Sequence, residues 1–463
     1  MSLALDPDLV ALAEARVKAK EARRAFEAFQ GASQEDVDAI VRAMASAGTA
    51  AAAELARLAV DETGYGVYED KIVKNKYNTI FVAASMLPMK TIGVLWVDEK
   101  NRMMAVGSPM GVIAGIIPVT NPTSTTLFKC MAAVKSGNAI VCAPHPRATR
   151  CCVRAAEVMA DAAERAGAPR GLVSCLSEVT LAATGELMRH PDIALVMATG
   201  GPGMVRAAYS SGKPTLAVGA GNVPVYIHRS VKNVSEAALM AITSKSFDNG
   251  TACVAEQSIV LDEPIADAAR AAFQAQGVLF LDRAQQERLA AVIFTERGEL
   301  RPDSVGLSAK ELARRSGVTA PADCRVLGAE LDIVGPKAPL SREILGPVLS
   351  FYRTGDVEDG FRRCQEILAF GGEGHTLGLH CEADEVISQF SSLPAGRIVI
   401  NTPTLFGGMG YSCATDPSFM LGTGTWSGSI VSDNVTPLHL INIKRVAHEV
   451  RPWRTIYSAN MGI

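Results

Sequence analysis

The chain has 463 residues, 48% of them apolar and 20% charged, and a formal net charge of −3. That length exceeds what one hydrophobic core serves, so two or three domains are expected. The absence of a basic block argues against a nucleic-acid partner, and no stretch reaches the roughly 18 unbroken apolar residues of a membrane span.

Ten cysteines lack the spacing of a disulfide framework or a zinc site, which predicts reduced thiols and no metal. Met1–Pro7 carries no basic stretch followed by an apolar one, so secretion is not expected and a cytoplasmic location is. In chain order, residues 8–30 read as a helix with Val10, Ala13 and Val17 on one face. Ser33-Gln34-Glu35-Asp36 opens a second helix with a capping-box pattern. Residues 91–107 read as a β-hairpin around Asp98–Arg102, with strands too apolar for a free surface.

Strands then alternate with helices. Val112–Val119, Ala139–Ala143, Leu172–Leu176 and Ile193–Ala198 read as buried strands, with helices at 123–136 and 147–166 between them. This alternation predicts a doubly wound parallel sheet whose ligand sits at the carboxyl ends of the strands. Pro118–Asn121, Pro144–Arg147 and Thr199–Gly203 all fall at such ends and should converge. A second α/β pattern follows Asn233, with strands at Ser258–Leu261, Gly277–Leu281, Val348–Tyr352 and Arg397–Asn401. Ser429–Val431 and Leu438–Ile443 read as edge or intersubunit strands.

Two features carry chemistry. Cys253 closes Ser246-Phe247-Asp248-Asn249-Gly250-Thr251-Ala252-Cys253, just after a glycine turn, and no other cysteine has such flanks. A cysteine is most often a small core hydrophobe, but a positioned thiolate splits one hard acyl transfer into two easier steps. Thr199-Gly200-Gly201-Pro202-Gly203-Met204 follows a strand and precedes a helical run, which suits a phosphate at a helix N-terminus or simply a tight turn. It lacks the ordinary G-x-G-x-x-G spacing.

These motifs resemble those of the aldehyde dehydrogenase superfamily, and in particular its acylating, coenzyme A-dependent members. The likeness is to the aldehyde dehydrogenase half of bifunctional alcohol/aldehyde dehydrogenases and to sulfoacetaldehyde dehydrogenases. It runs from about residue 105 to 445, through Ile117–Thr125, Pro144–Arg147, Ala198–Val205, Val218–Asn222, Phe247–Gly250, Cys253, Gly374-His375-Thr376 and Ile400–Pro403. An iron-dependent alcohol dehydrogenase half is not expected within these residues.

The resemblance implies an α/β fold with two doubly wound parallel-sheet domains and a β-strand oligomerisation element. It places a dinucleotide-binding domain at 1–90 and 108–228, a catalytic domain at 229–425, and oligomerisation strands at 91–107 and 426–463. It implies that Cys253 attacks an aldehyde and that Asn121 joins the Cys253 backbone N–H in an oxyanion hole. Hydride then passes to NAD or NADP, leaving a thioester. Thr120, Pro144, His145, Thr199, Gly200, Gly201, Met204, Gly219 and Glu343 would contact the cofactor, Glu343 through the nicotinamide ribose. His375 would orient or deprotonate the incoming thiol, or serve a structural hydrogen bond. Asn121 has a plainer reading as a turn former before Pro122, Glu343 as a surface carboxylate, and Arg147 as an exposed helix-start residue.

Hydrolytic relatives carry a glutamate in the motif that here reads Val218-Gly219-Ala220-Gly221-Asn222, and its absence favours coenzyme A over water. They also carry Lys-Pro-x-Glu where this chain has Ala143-Pro144-His145-Pro146, so adenosine binding must differ. The expected partners are a small aldehyde and coenzyme A, in a homodimer or homotetramer. Sulfoacetaldehyde is the first candidate, with acetaldehyde or propionaldehyde next. A hydrolytic aldehyde dehydrogenase, a non-redox acyltransferase using Cys253 and a non-catalytic assembly protein are the competing readings.

Overall fold

The apolar runs Val112–Ile116 and Ala139–Ala143 are buried at every residue, as strands are when helices cover both faces. In the computed structural model, which describes residues 6–457, they belong to a five-stranded sheet. Its order is Val173–Cys175, Ala139–Ala143, Val112–Ile116, Ile193–Thr199, Thr215–Val218, and every pairing is parallel. The chain starts at the central strand, builds outward to one side, then returns to the other side. The switch point therefore lies between Val112–Ile116 and Ile193–Thr199, and the crevice beyond their carboxyl ends is the place for a ligand. Thr215–Val218 was not foreseen in the sequence.

Helix Pro122–Lys135 is buried along all 14 residues, its two lysines included. Lys129 reaches the carbonyls of Ile116 and Met197 at 2.7 and 2.9 Å, so its ammonium bridges the two strands at the switch point. The first helix spans Pro7–Phe29, and the second, Gln34–Ala50, is capped by a reciprocal Ser33–Asp36 pair as expected. The inward face of the first helix is corrected. Val10 and Val17 are exposed, and Ala11, Ala15, Ala19 and Ala22 are buried, because short side chains let the helix axis approach its neighbours closely.

The second sheet has seven parallel strands in the order Val278–Leu281, Val326–Glu330, Val348–Thr354, Ser258–Asp262, Pro224–Ile227, Gly374–His380, Ala395–Ile400. Pro224–Ile227 pairs with Ser258–Asp262 and Gly374–His380. The expected boundary at 228/229 therefore moves to before Pro224, since these four buried residues sit between two strands of the second sheet. Val326–Glu330 and Gly374–His380 were also unforeseen, and the second of these carries His375.

The expected hairpin forms, with Gly93–Asp98 antiparallel to Met103–Pro109, and Ile441–Ala447 pairs along the far side of Met103–Pro109. The expected strand at Ser429–Val431 does not form. The carbonyls around it are engaged otherwise: Val431 accepts from the Gly424 N–H and Ser432 from Arg397.

Gly374 opens its strand at φ +79°, and a Cβ there would lie 1.6 Å from the Thr423 carbonyl oxygen. Gly374→Ala is expected to destabilise by at least about 3 kcal/mol, combining a left-handed non-glycine with a forced backbone clash. A urea midpoint equal to that of the parent would show that the strand entry opens freely.

Candidate active site

Helix Val234–Ser246 ends in a short turn, Phe247–Gly250, that delivers Cys253. Asp248, Asn249 and Gly250 take φ values of 49°, 51° and 68°. Two consecutive left-handed non-glycine residues persist only where the surroundings over-determine them. Here the Asp248 N–H donates to Asp70 Oδ2 at 2.7 Å, and Asn249 Nδ2 donates to the Gly306 carbonyl at 2.9 Å. The fully buried Asp248 carboxylate accepts from Lys71, Lys74, Thr251 Oγ1 and the Val67 N–H. The two lysines hold its pKa below the usual value against the opposing effect of burial.

Cys253 opens onto a cavity of about 760 Å³ between the two sheets. Thr251–Val254, Glu343 and Leu345 line it from the catalytic side; Ile116–Asn121, Thr199–Pro202 and Val218–Ala220 line it from the carboxyl ends of the first sheet. Of the expected site residues, Cys253, Asn121, Thr120, Pro144, His145, Thr199, Gly200, Gly201, Met204, Gly219 and Glu343 all lie on this wall. His375 stands behind the thiol, fully buried, with Nε2 3.2 Å from Sγ and Nδ1 3.0 Å from Thr376 Oγ1. Gly221 permits this packing, because a Cβ there would fall 2.2 Å from the Cys253 carbonyl oxygen and 3.1 Å from the imidazole.

Electrostatics keep this pair uncharged at rest. Burial, with Glu343 adding, pushes the Cys253 thiol up to about 12. Burial, with the Arg397 charge adding, holds His375 down to about 3. Arg397 is itself buried and donates to the carbonyls of His375, Gly422 and Ser432. In the tautomer with its proton on Nδ1, that N–H donates to Thr376 Oγ1 and Nε2 is the acceptor for the Sγ–H.

Asn121 caps helix Pro122–Lys135 by position only; its side chain makes no capping bond. Instead Oδ1 accepts from Lys74 at 2.7 Å, and Nδ2 lies 3.2 Å from both the Thr251 carbonyl and Thr120 Oγ1. This takes Asn121 beyond a simple turn former.

Glu343 is no surface carboxylate. Its Oε1 accepts from the Gly221 N–H at 2.8 Å, and burial raises its pKa to about 7. It is the one carboxylate lining the cavity among the described residues. Glu256 lies off that lining, fully buried, and accepts from the Thr404 N–H at 2.8 Å.

On the first-sheet side, Gly201 precedes helix Pro202–Tyr209 with no side-chain cap, and a Cβ on Gly201 would meet nothing within 4 Å. Thr199 Oγ1 is buried without a hydrogen-bond partner. Open backbone, the Gly203 N–H at the helix start and an unpaired hydroxyl suit a phosphate-bearing ligand, although Met204 and Val205 already donate to the Gly201 carbonyl. Arg147 is committed to the protein: it donates to Tyr65 Oη at 2.9 Å and the Thr63 carbonyl at 3.3 Å.

Lys71, Lys74 and Arg397 escaped the sequence reading. Lys71 and Lys74 are three apart on helix Tyr68–Lys76, a spacing that usually marks a solvated face, and nothing local distinguishes a buried lysine from an exposed one.

Comparison with known proteins gives the family and the fold. The profile described as "Aldehyde dehydrogenase family" matches residues 9–278, and the chain belongs to that family. It is 40% identical over 436 residues to the bifunctional aldehyde-alcohol dehydrogenase of Escherichia coli, covering 93% of this chain and 48% of that protein. The chain thus spans about half the length of the first curated relatives it matches. It is 33% identical to the succinate-semialdehyde dehydrogenase (acetylating) of Clostridium kluyveri, covering 95% of this chain and 96% of that one. The crystal structure of an acetylating aldehyde dehydrogenase from Geobacillus thermoglucosidasius superposes with a TM-score of 0.95 at 45% identity, covering 97% and 99% of the two chains.

A thiol pushed up to about 12 is a minor thiolate at neutral pH. Iodoacetamide alkylation of Cys253 in the cofactor-free protein should therefore rise roughly tenfold per pH unit between pH 7 and 10. A plateau near pH 7, followed by mass spectrometry of the Cys253 peptide, would instead reveal a preformed thiolate–imidazolium pair.

Proposed function

We propose that the protein is an acylating aldehyde dehydrogenase, converting aldehyde, coenzyme A and NAD(P)+ to acyl-coenzyme A, NAD(P)H and a proton. The observation that carries this reading is the single cavity in which Cys253, Asn121 and Glu343 meet the open first-sheet crevice. Thr199–Gly201 and the N-terminus of helix Pro202–Tyr209 would hold the cofactor pyrophosphate, and Glu343 the nicotinamide ribose.

Sγ attacks the aldehyde carbon as its thiolate, the proton having left for solvent through the cavity, and the resulting thiohemiacetal carries negative charge on the former carbonyl oxygen. Asn121 Nδ2 and the Cys253 backbone N–H are the donors for that charge, and preorganised donors of this kind commonly supply the largest catalytic term. A nicotinamide held in this crevice would supply the hydride acceptor, and loss of hydride from the thiohemiacetal carbon would leave a thioester on Cys253. Coenzyme A thiolate, its own proton released as the product proton, then attacks the thioester carbon; the Cys253 sulfur leaves as a thiolate and takes up a proton from solvent to restore its contact with His375. The neutral imidazole suits it to accept a hydrogen bond from either thiol.

The second nucleophile is argued from what surrounds Sγ. Val218–Asn222 carries no carboxylate, and Glu256 lies off the cavity. Glu343 remains, anchored to the Gly221 N–H. Relatives support coenzyme A: a propionaldehyde dehydrogenase from Rhodopseudomonas palustris, 25% identical with a TM-score of 0.84, was solved with coenzyme A and an acylated cysteine. An engineered glycolyl-CoA reductase, also 25% identical, was solved with NADP+.

The cavity lining contains no lysine or arginine and is largely apolar, with Met409, Phe419 and Leu421 near the catalytic side. That supports a short uncharged aldehyde, acetaldehyde or propionaldehyde, ahead of sulfoacetaldehyde, whose sulfonate would meet no cation on this wall. A homodimer or homotetramer is supported by the three-stranded sheet, where Val94, Trp96, Val97, Ile443 and Val446 are exposed. Val97 and Val446 flank Met104 across one face, and exposed apolar sheet surface commonly marks an interface. Light scattering at micromolar concentration should give at least a dimer, and a monomer would remove the interface from the reading.

Without coenzyme A, the protein with acetaldehyde and NAD(P)+ should give one burst of 340 nm absorbance and an acyl mass on Cys253. With coenzyme A, turnover should be sustained and the product a thioester. Cys253→Ala should retain less than about a tenth of turnover while binding cofactor, because loss of a covalent route removes several factors of ten. Steady formation of free acid without coenzyme A would point to the hydrolytic reading, with Glu343 as base. Acyl exchange without any 340 nm change would point to the acyltransferase.

A further inference from the structure

Outside the nucleophile and its imidazole, the densest buried charge in the site is the pair of lysines beneath Asn121. Lys71 and Lys74 are 2% and 3% exposed, and both reach the same Asp248 oxygen, at 3.0 and 2.6 Å. They differ in their remaining contacts. Lys71 donates to the Thr120 backbone carbonyl at 3.2 Å. Lys74 donates to the Asn121 side-chain oxygen at 2.7 Å and to Thr251 Oγ1 at 3.1 Å.

We infer that Lys74 is a positioning residue for the oxyanion donor: its ammonium fixes which end of the Asn121 amide faces the reacting oxygen. This rests on the oxyanion role proposed above for Asn121. An ammonium only donates, and its three protons here meet three acceptors: Asn121 Oδ1, Asp248 Oδ2 and Thr251 Oγ1. The amide oxygen is thereby tied down and Nδ2 is turned toward the nucleophile loop. There it makes only two long contacts of 3.2 Å, so a proton can be redirected to an arriving oxyanion. Without Lys74 the amide is free to flip, and the flipped form would present an acceptor to a developing negative charge. Lys74 also withdraws electron density through Oδ1, which strengthens the Nδ2–H donor.

The competing possibility is that both lysines serve only to neutralise Asp248 and hold its turn. The two roles separate because Lys71 shares the Asp248 contact but does not touch Asn121. Lys74→Met is expected to lower kcat roughly tenfold, a fraction of the hundredfold associated with losing a whole oxyanion donor. Lys71→Met should lower it less than about threefold despite removing an equivalent charge from Asp248. Cofactor Kd, read by fluorescence quenching, should stay the same in Lys74→Met. Lys74→Gln keeps an N–H for Oδ1 and should recover most of the loss.

The deciding measurement is the cycle with Asn121→Ala. A residue acting through Asn121 has nothing to act on in that background, so Lys74→Met should then cost less than about twofold. Equal losses from Lys71→Met and Lys74→Met, or a Lys74→Met penalty undiminished in Asn121→Ala, would assign Lys74 to the turn alone and overturn the inference. If Lys74→Met does not fold, the same comparison is made with Lys71→Ala and Lys74→Ala, which leave room for water. There, Lys74→Ala should lose activity only while Asn121 is present, and a loss independent of Asn121 overturns the inference. If Asn121→Ala itself leaves kcat unchanged, the oxyanion reading fails and this inference falls with it. A drop in Asn121→Ala with none in Lys74→Met overturns this inference alone.

Discussion

A carboxylate with no solvent exposure, Asp248, stands between the two sheets, and much of the site is arranged around the need to satisfy it. A buried charge with one partner removed typically costs 3–5 kcal/mol or so, whereas a fully paired one adds little net stability. Its value therefore lies in specificity of arrangement. Two lysines from one helix, a threonine and a backbone N–H converge on this group. In doing so they pin a left-handed turn that the chain would otherwise avoid, and that turn aims Cys253. The same helix touches the carboxyl end of the central first-sheet strand through Thr120 and Asn121. Cys253 and Asn121 come from different sheets, yet both are referenced to one ion cluster.

Desolvation gives the rest of the site its character. It keeps Cys253 protonated and His375 neutral, and raises the Glu343 pKa to about 7. Arg397, threaded among backbone carbonyls behind the imidazole, adds to this by making a second positive charge on His375 unfavourable. A resting thiol of this kind is sheltered from indiscriminate alkylation and oxidation, which track thiolate character. Reactivity then depends on what ligands bring into the cavity.

The sequence announced most of this fold through burial pattern. Val112–Ile116, Ala139–Ala143 and Ile193–Thr199 are continuous apolar runs because both faces are covered, and they could be placed closely. Pro224–Ile227 and Gly374–His380 were missed because one is four residues long and the other carries glycine and histidine, which mask a strand signal. Cys253 and Asn121 were legible through their neighbours, a glycine turn and a strand end before proline. Lys74, Lys71 and Arg397 were not, because the sequence of a buried cation looks like that of a solvated one. Their burial depends on Asp248 and on the carbonyls of residues 375, 422 and 432, all distant in the chain. Ser429–Val431 looked like an edge strand, but its backbone is drawn into an irregular crossing that meets Arg397.

That crossing has a consequence for how the protein is made. The first sheet takes supports from residues 429–440, far along the chain. Asn138 Nδ2 donates to the Leu440 carbonyl, Ser429 Oγ donates to the Ala217 carbonyl, and Ile441–Ala447 completes the sheet begun by Gly93–Asp98 and Met103–Pro109. Phe419 and Leu421 also close one side of the cavity. During synthesis, domains fold as their residues emerge, N-terminal portions first. Here both parallel sheets can be threaded before residues 418–447 leave the ribosome, while the cavity wall and the outer sheet wait for them. For that interval a nascent chain would carry the Cys253 loop without the Phe419 and Leu421 part of its cavity wall.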